Sequence, residues 1–231
     1  MKNYLKLSFI ATVFIFTFSF LTVAEVKAQN ILNEILKRMD EHQKALSSLK
    51  ANVMMDKYNS QLDEHDIYEG TTMYLPAKGR DALVRIDWIK PEQSILSVVN
   101  KQYVLYRPRL KQAITGTVDS AQKNTKASGP MEFLKMSKEQ LRANYTVVYL
   151  GQEQVSGGIP TWRLELTPKT AKGYKLAELW VDGNGMPIQA KITENNNDST
   201  TVLLSGLQKN VTINASDFKV NLPKDTKIIK G

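Results

Sequence analysis

The chain has 231 residues, no cysteine, two histidines and a formal net charge of +8. Thiol catalysis, thiolate metal sites, disulfides and a cysteine-linked lipid anchor are therefore excluded, and packing alone must hold the fold. The length allows one domain, or at most two, with a sizeable core.

Met1 to Lys6 carries Lys2 and Lys6. An uninterrupted apolar run, Leu7 to Ala24, follows with Phe9, Phe14, Phe16, Phe18 and Phe20. Glu25-Val26-Lys27-Ala28 closes it, and a polar chain begins at Gln29. A basic start, an apolar middle and a small-residue exit read as a secretory signal peptide, with Val26-x-Ala28 placing cleavage after Ala28. The run approaches the ~18 residues of a membrane span, so an uncleaved anchor is the competing reading. Residues 29–231 then form a single exported domain. Lys2, Lys6, Lys27 and Glu25 contribute +2 of the +8, which leaves +6 on the mature chain. That balance suits anionic lipid or acidic partners rather than nucleic acid, and it also serves solubility.

Asn30 is a candidate helix cap. Ile31, Leu32, Ile35, Leu36, Met39, Leu46 and Leu49 recur at spacings of three and four, against Lys37, Arg38, Glu41, Gln43 and Lys44. This pattern predicts an amphipathic helix. From Lys50 the period changes to two. Ala51 to Asp56, Ile67 to Leu75, Ala82 to Ile89, Ser94 to Val99 and Tyr103 to Tyr106 read as strands separated by turn residues. Thr115 to Gly129 has almost no apolar residue and reads as a mobile loop. Gly129-Pro130 opens a short helical stretch with Met131, Phe133, Leu134 and Met136 as its apolar set. Ser137-Lys138-Glu139-Gln140 is a capping-box pattern for a second short helix ending near Ala143.

Strands resume with Thr146 to Leu150, Trp162 to Thr167, Lys175 to Val181, Ile188 to Thr193, Thr200 to Leu204, and a last one at Phe218 to Leu222. Asp182-Gly183-Asn184-Gly185 and Asn195 to Asp198 are the intervening turns. The sum is an α+β chain whose sheet carries one apolar face and too many strands to stay flat. A curled sheet needs a cover, and only the first helix and the Met131–Ala143 stretch are candidates. Between them lies an apolar cavity.

Catalytic signals are missing. No G-x-S-x-G, H-E-x-x-H or P-loop pattern occurs, and His42 and His65 read as exposed bystanders. In Asp182-Gly183-Asn184-Gly185-Met186 a methionine stands where a calcium ligand belongs, so the segment is a turn. Asp63, Glu64 and Asp66 read as a solvated hairpin end. Lys101, Arg107, Arg109 and Lys111, interleaved with Tyr103 and Tyr106, fit charged edge strands better than a nucleic-acid stripe, and a docking patch for an anionic partner stays open. The sequence calls for no metal and no cofactor, and the chain is expected not to be an enzyme. Met39, Met54, Met55, Met73, Met131, Met136 and Met186 are adaptable side chains that fill a core or, under a lid, suit variable apolar ligands.

Gly70-Thr71-Thr72-Met73-Tyr74-Leu75, Gly79-Arg80, Leu83-Val84-Arg85-Ile86-Asp87-Trp88 and Pro91 resemble the early hairpin of the periplasmic outer-membrane lipoprotein carrier family, LolA. Trp162 to Lys169, Leu179 to Pro187 and Phe218 to Pro223 resemble it too, and the likeness spans about Asn30 to Ile229. The resemblance implies an incomplete, half-open antiparallel barrel closed by an N-terminal helix and a short helical lid; the strand pattern itself supplies about ten or eleven strands. It implies a periplasmic carrier that shields lipoprotein acyl chains and shuttles them from an inner-membrane ABC transporter to an outer-membrane receptor. Cargo would be lipid-modified proteins, membrane contact transient and the carrier a monomer. A carrier or sensor of another lipid, glycolipid or lipopeptide is the alternative on the same fold.

The candidate lining comprises Leu36 and Met39 of the helix, Val53, Met55, Met73 and Trp88 of the early strands, Met131, Phe133, Leu134 and Met136 of the lid, and Trp162 and Leu164 of the late strands. The resemblance also implies that Arg85 latches the lid by bonding to helix carbonyls. Alternation with Val84, Ile86 and Trp88 turns Arg85 to the other face. A bulge, or a sheet apolar on both faces, would reconcile the two.

Overall fold

The computed structural model describes residues 28–76, 81–118, 133 and 136–231. The proposed signal segment therefore lies outside the described residues, apart from Ala28, as do residues 119–129 of the polar loop. Residues 28–45 form helix α1. Leu32, Ile35, Leu36 and Met39 are its buried stripe. Its outer side carries the i,i+4 pairs Glu34–Arg38, Lys37–Glu41 and Asp40–Lys44. Exposed pairs of this kind add little, so burial of the stripe, about 1.5–3 kcal/mol per side chain, is what docks the helix. Asn30 lies inside α1 and not at its cap, and Leu49 opens the first strand.

Twelve strands follow: β1 Leu49–Asn59, β2 Glu64–Leu75, β3 Leu83–Lys90, β4 Ser94–Val99, β5 Gln102–Arg107, β6 Gln112–Thr117, β7 Tyr145–Val155, β8 Ile159–Pro168, β9 Tyr174–Asp182, β10 Pro187–Glu194, β11 Ser199–Lys209 and β12 Lys227–Lys230. They make one open sheet in the order β12-β6-β5-β4-β3-β2-β1-β11-β10-β9-β8-β7. All neighbours are antiparallel except β12 and β6. Helix α2, Lys138–Asn144, precedes β7 and starts with the expected capping box: Gln140 N donates to Ser137 Oγ at 3.2 Å and Ser137 N to Gln140 Oε1 at 2.9 Å.

Cross-strand partners share a face, and side chains alternate along each strand. Met55 stands with Tyr68 and Val202, Val202 with Ala190, and Ala190 with Leu179, which faces Leu164. Leu164, Leu179 and Ala190 pack with the α1 stripe, Phe133 and Leu141. This is the helix face. Gly185, in the β9–β10 turn, has φ +82°, and a Cβ there would lie 2.3 Å from the Arg38 carbonyl carbon and oxygen. The glycine predicted for a turn thus also lets α1 rest on that turn. Arg38 Nη1 donates to Gly183 O at 3.0 Å from the other side.

The opposite face is apolar as well. Trp180, Leu203 and Met54 lie there by register, with the Arg163 guanidinium 5.2 Å from the Trp180 ring. Met73, Leu75, Leu83 and Val99 form a second apolar strip on that face, covered by Phe218, which is wholly buried. Phe218 belongs to the chain between β11 and β12, which leaves the sheet at Asn210, crosses the face opposite the helices, and returns to its edge.

Here the sequence reading is corrected. Phe218, Val220 and Leu222 alternate but form no strand. Ala215–Phe218 is a 3-10 turn capped by Asn214, whose N donates to Asp217 Oδ2 at 3.0 Å. The segment crosses the strands rather than running beside one, and so finds no ladder partner. The last strand is β12, and β6, whose second half overlaps the start of the supposed loop, was not expected. Because the connection crosses the sheet, β12 meets β6 in parallel, as crossovers do.

Candidate functional site

Leu36, Met39, Phe133 and Leu164 meet in one cluster, with Met136 and Trp162 packed against it. Leu36 and Leu164 are fully buried, so they support the helix face rather than line a space. Trp162 is half-buried beneath the Arg38 guanidinium, 5.3 Å from its ring. Val53 is buried in the adjoining cluster, against which the half-buried Met55 and Trp88 pack. Met131 and Leu134 lie outside the described residues. Met73 is a correction: it pairs with Arg85 on the face away from α1, because Tyr74 and Thr72 take the inward positions of β2.

Further along the helix face the cover thins. Tyr68 and Tyr74 of β2, Trp88 of β3, Leu96 and Val98 of β4 and Leu105 of β5 share it by register, and all are half-buried. Of β2 to β5, sequence reasoning placed only Met73 and Trp88 in the lining, with Val53 and Met55 of the adjoining β1, although alternation marks the others equally well. Tyr68 and Trp88 meet edge-on with ring centroids 5.8 Å apart, and Lys57 Nζ lies 5.1 Å from the Tyr68 ring. Burial raises the pKa of the Tyr74 hydroxyl. Gly70 sits between Val53 and Trp88, where a Cβ would lie 2.3 Å from Asp87 O, so β3 approaches as closely as it does only because that side chain is absent. The surface offers rings, aliphatic groups and a few hydroxyl edges. It can hold apolar chains.

Arg85 faces away from α1. Its Nη1 donates to Asp217 O at 2.8 Å and to Lys219 O at 3.1 Å, and its Nε lies 3.0 Å from both Asp87 carboxylate oxygens. Ser97 Oγ donates to Phe218 O beside it. The arginine does bond to carbonyls of a short helical turn, but among the described residues that turn belongs to the C-terminal crossing. The sheet is apolar on both faces, and no bulge turns Arg85 inward.

His65 is exposed against Asp56 at 2.8 Å. His42 is not the exposed bystander expected: it is half-buried on α1 with Nε2 unpartnered among the described residues. Burial and then Lys209 lower its pKa, and Asp182 opposes them. Asp182 Oδ1 accepts from Asn184 N at 2.9 Å and Met186 N at 2.8 Å, as a turn residue does. Arg109 and Lys111 pair with Glu92 and Asp225. Among the described residues no group of three or more His, Asp or Glu side chains is placed to hold a metal, and no helix is long and apolar enough to cross a membrane.

A family model described as outer membrane lipoprotein carrier protein LolA matches residues 77–221. No curated protein matches the chain in sequence. Among solved structures the fold is similar to an uncharacterized conserved protein from Thermus thermophilus, at 15% identity and TM-score 0.56, over 87% of this chain and 99% of that one. It is also similar to a chain of the MucA/MucB complex of Pseudomonas aeruginosa, at 12% identity and TM-score 0.51, over 85% of this chain and 62% of that one. At such identities the likeness is one of fold.

Proposed function

The chain belongs to the family of the outer membrane lipoprotein carrier protein LolA, and from that membership we propose that it is an exported carrier of lipid-modified proteins. It takes acyl chains onto the helix face of its sheet, holds them away from water, and passes them from the inner to the outer membrane without covalent chemistry. The observation that supports this reading is the half-buried strip of Tyr68, Tyr74, Trp88, Leu96, Val98 and Leu105. Each methylene moved from water onto such a surface gains about 0.8 kcal/mol. A face already partly shielded gains less per chain than an open one, which keeps the binding reversible, as a shuttle requires.

The test is to purify the mature protein from its own envelope and weigh it under native conditions. A bound triacylated lipoprotein is the expected result. A bound free lipid, glycolipid or lipopeptide would replace the cargo and keep the site. Protein that is always bare and takes up no fluorescent lipid would overturn the carrier reading.

A further inference from the structure

We propose that the chain pairs with a second copy of itself along β7, extending the sheet across a two-fold axis at Val148. β7 is one edge of the sheet, and among the described residues no strand lies along its free side. Edge strands are normally blunted by shortness, lysine or proline. β12, the opposite edge, is four residues long with Lys227 and Lys230 at its ends. β7 has eleven residues, none of them lysine or proline, and Tyr145 to Gln152 carries no charge.

The β7–β8 ladder fixes which main-chain groups are free. Lys169 N donates to Asn144 O at 2.9 Å. Antiparallel bonding alternates, so Thr146 with Thr167 and Val148 with Glu165 bond across in turn, while Val147 and Tyr149 direct N–H and C=O to the free edge. Pro168, which has no N–H to give, falls opposite Tyr145 at a non-bonded position, as this phase requires. Val147 and Tyr149 pack half-buried on the helix face. Val148 and Leu150 lie on the other face, 44% and 47% exposed.

The strand is its own complement. In an antiparallel pair centred on Val148, Val147 exchanges bonds with the partner's Tyr149, and Val148 lies beside the partner's Val148. Thr146 comes beside the partner's Leu150, so only apolar and hydroxyl side chains meet. Charge selects a second copy over an arbitrary extended peptide. The N-terminal end of β7 is basic, with Lys138 and Arg142 on α2 and with Lys169 Nζ donating to Arg142 O at 2.6 Å. The C-terminal end carries Glu153, half-exposed and 3.0 Å from Arg163 Nη1. Antiparallel reversal brings the partner's Glu153 beside the end of α2 that holds Arg142, and the two-fold makes that contact twice. Such an interface uses up both β7 edges and leaves only the lysine-blunted β12 edges, so pairing stops at two. A monomer, the state the resemblance implies, leaves β7 bare. Self-pairing does not depend on the carrier function.

The test uses the mature chain, residues 29–231. Its mass by sedimentation equilibrium should rise from one chain to two through the micromolar range. The protein has no cysteine, so Val148→Cys gives one thiol per chain. Non-bonded antiparallel partners have Cα atoms about 4.5 Å apart, within disulfide reach, and mild oxidation should give a covalent dimer. Ile228→Cys, 62% exposed on β12, controls for chance collision. It should cross-link on the order of 100-fold more slowly, because only the paired thiols meet at a millimolar effective concentration. Val147→Pro removes an N–H that faces the free edge and none that β8 uses, and should weaken association about tenfold or more. Glu153→Lys should weaken it too, and adding Arg142→Glu should restore it, which damage to the fold would not do. Circular dichroism melts check that each variant is folded. Single-chain mass at every concentration, Val148→Cys cross-linking no faster than Ile228→Cys, or a charge swap that restores nothing overturns the proposal. If the chain stays single and Val147→Pro costs it binding of a fluorescent lipopeptide, the edge belongs to cargo, and the proposal is overturned as well.

Discussion

Arg85 holds the C-terminal crossing by a single guanidinium: two carbonyls on one nitrogen and the Asp87 carboxylate on another. Arg85→Leu would leave both carbonyls without their donor and Asp87 without its cation, at a cost of about 1–3 kcal/mol. A urea midpoint lowered accordingly, with the slope unchanged, is the expected outcome; parental stability would mean the crossing does not depend on Arg85. The direction of this side chain was legible, since alternation alone turned it from α1. Its partners were not, because they are main-chain carbonyls more than a hundred residues away and carry no side-chain signature. His42 makes a second case at this scale. Burial lowers its pKa in the folded state, so the unfolded chain binds more protons as pH falls below about 6.5, and stability drops with it. His42→Gln should flatten that part of the pH–stability curve, read as melting temperature from pH 7.5 down to 5, roughly the range over which histidine titrates. A curve of unchanged slope would show that His42 does not contribute.

The C-terminal crossing shows how an element can look like a strand and be something else. Phe218, Val220 and Leu222 have period two, which is also the period of an irregular chain that buries every other residue on a surface. Only the capping pair Asn214 and Asp217 signals a helical turn, and it is short. By contrast the β9–β10 turn, the α2 capping box and the first helix were legible, because each rests on contacts within a few residues. The strands β6 and β12 were not, since β12 earns its place only by pairing with β6 across the sequence. Phe218 anchors this crossing against Leu75 and Leu83. Phe218→Ala should cost about 3–5 kcal/mol. Hydrogen exchange should rise first at Lys227 N, which donates to Lys111 O at 2.8 Å, and at Gly231 N, which donates to Thr115 O at 2.9 Å. If those amides stayed as protected as those of β10 while the protein as a whole lost stability, the crossing and the sheet would be one cooperative unit.

At the scale of the molecule, one sheet face is used in two ways. Over β8 to β10 it is sealed by α1 and α2, with Leu164 and Leu179 fully buried. Over β2 to β5 burial is uneven: Thr72, Val84 and Ile86 are buried, while Tyr68, Tyr74, Trp88, Leu96, Val98 and Leu105 still touch water. The sequence made these halves look alike, because both alternate apolar and polar residues, and alternation reports which face a residue is on but not what covers that face. Sealed residues give stability, and half-sealed ones leave area for a ligand to cover. Substitutions should therefore separate the two. Leu164→Ala, deep in the sealed half, should lower stability by about 2–5 kcal/mol. Leu96→Gln, on a site that keeps some contact with water, should change the melting temperature little while putting an amide where an acyl chain would lie. Desolvating that amide without a partner costs about 1–3 kcal/mol, so uptake of a fluorescent fatty-acyl probe should weaken roughly tenfold. Titration of the probe into both variants below their melting temperatures decides the matter. If Leu96→Gln binds as the parent does while Leu164→Ala is the one that loses uptake in the folded state, the ligand lies under α1, and β2 to β5 are not its seat.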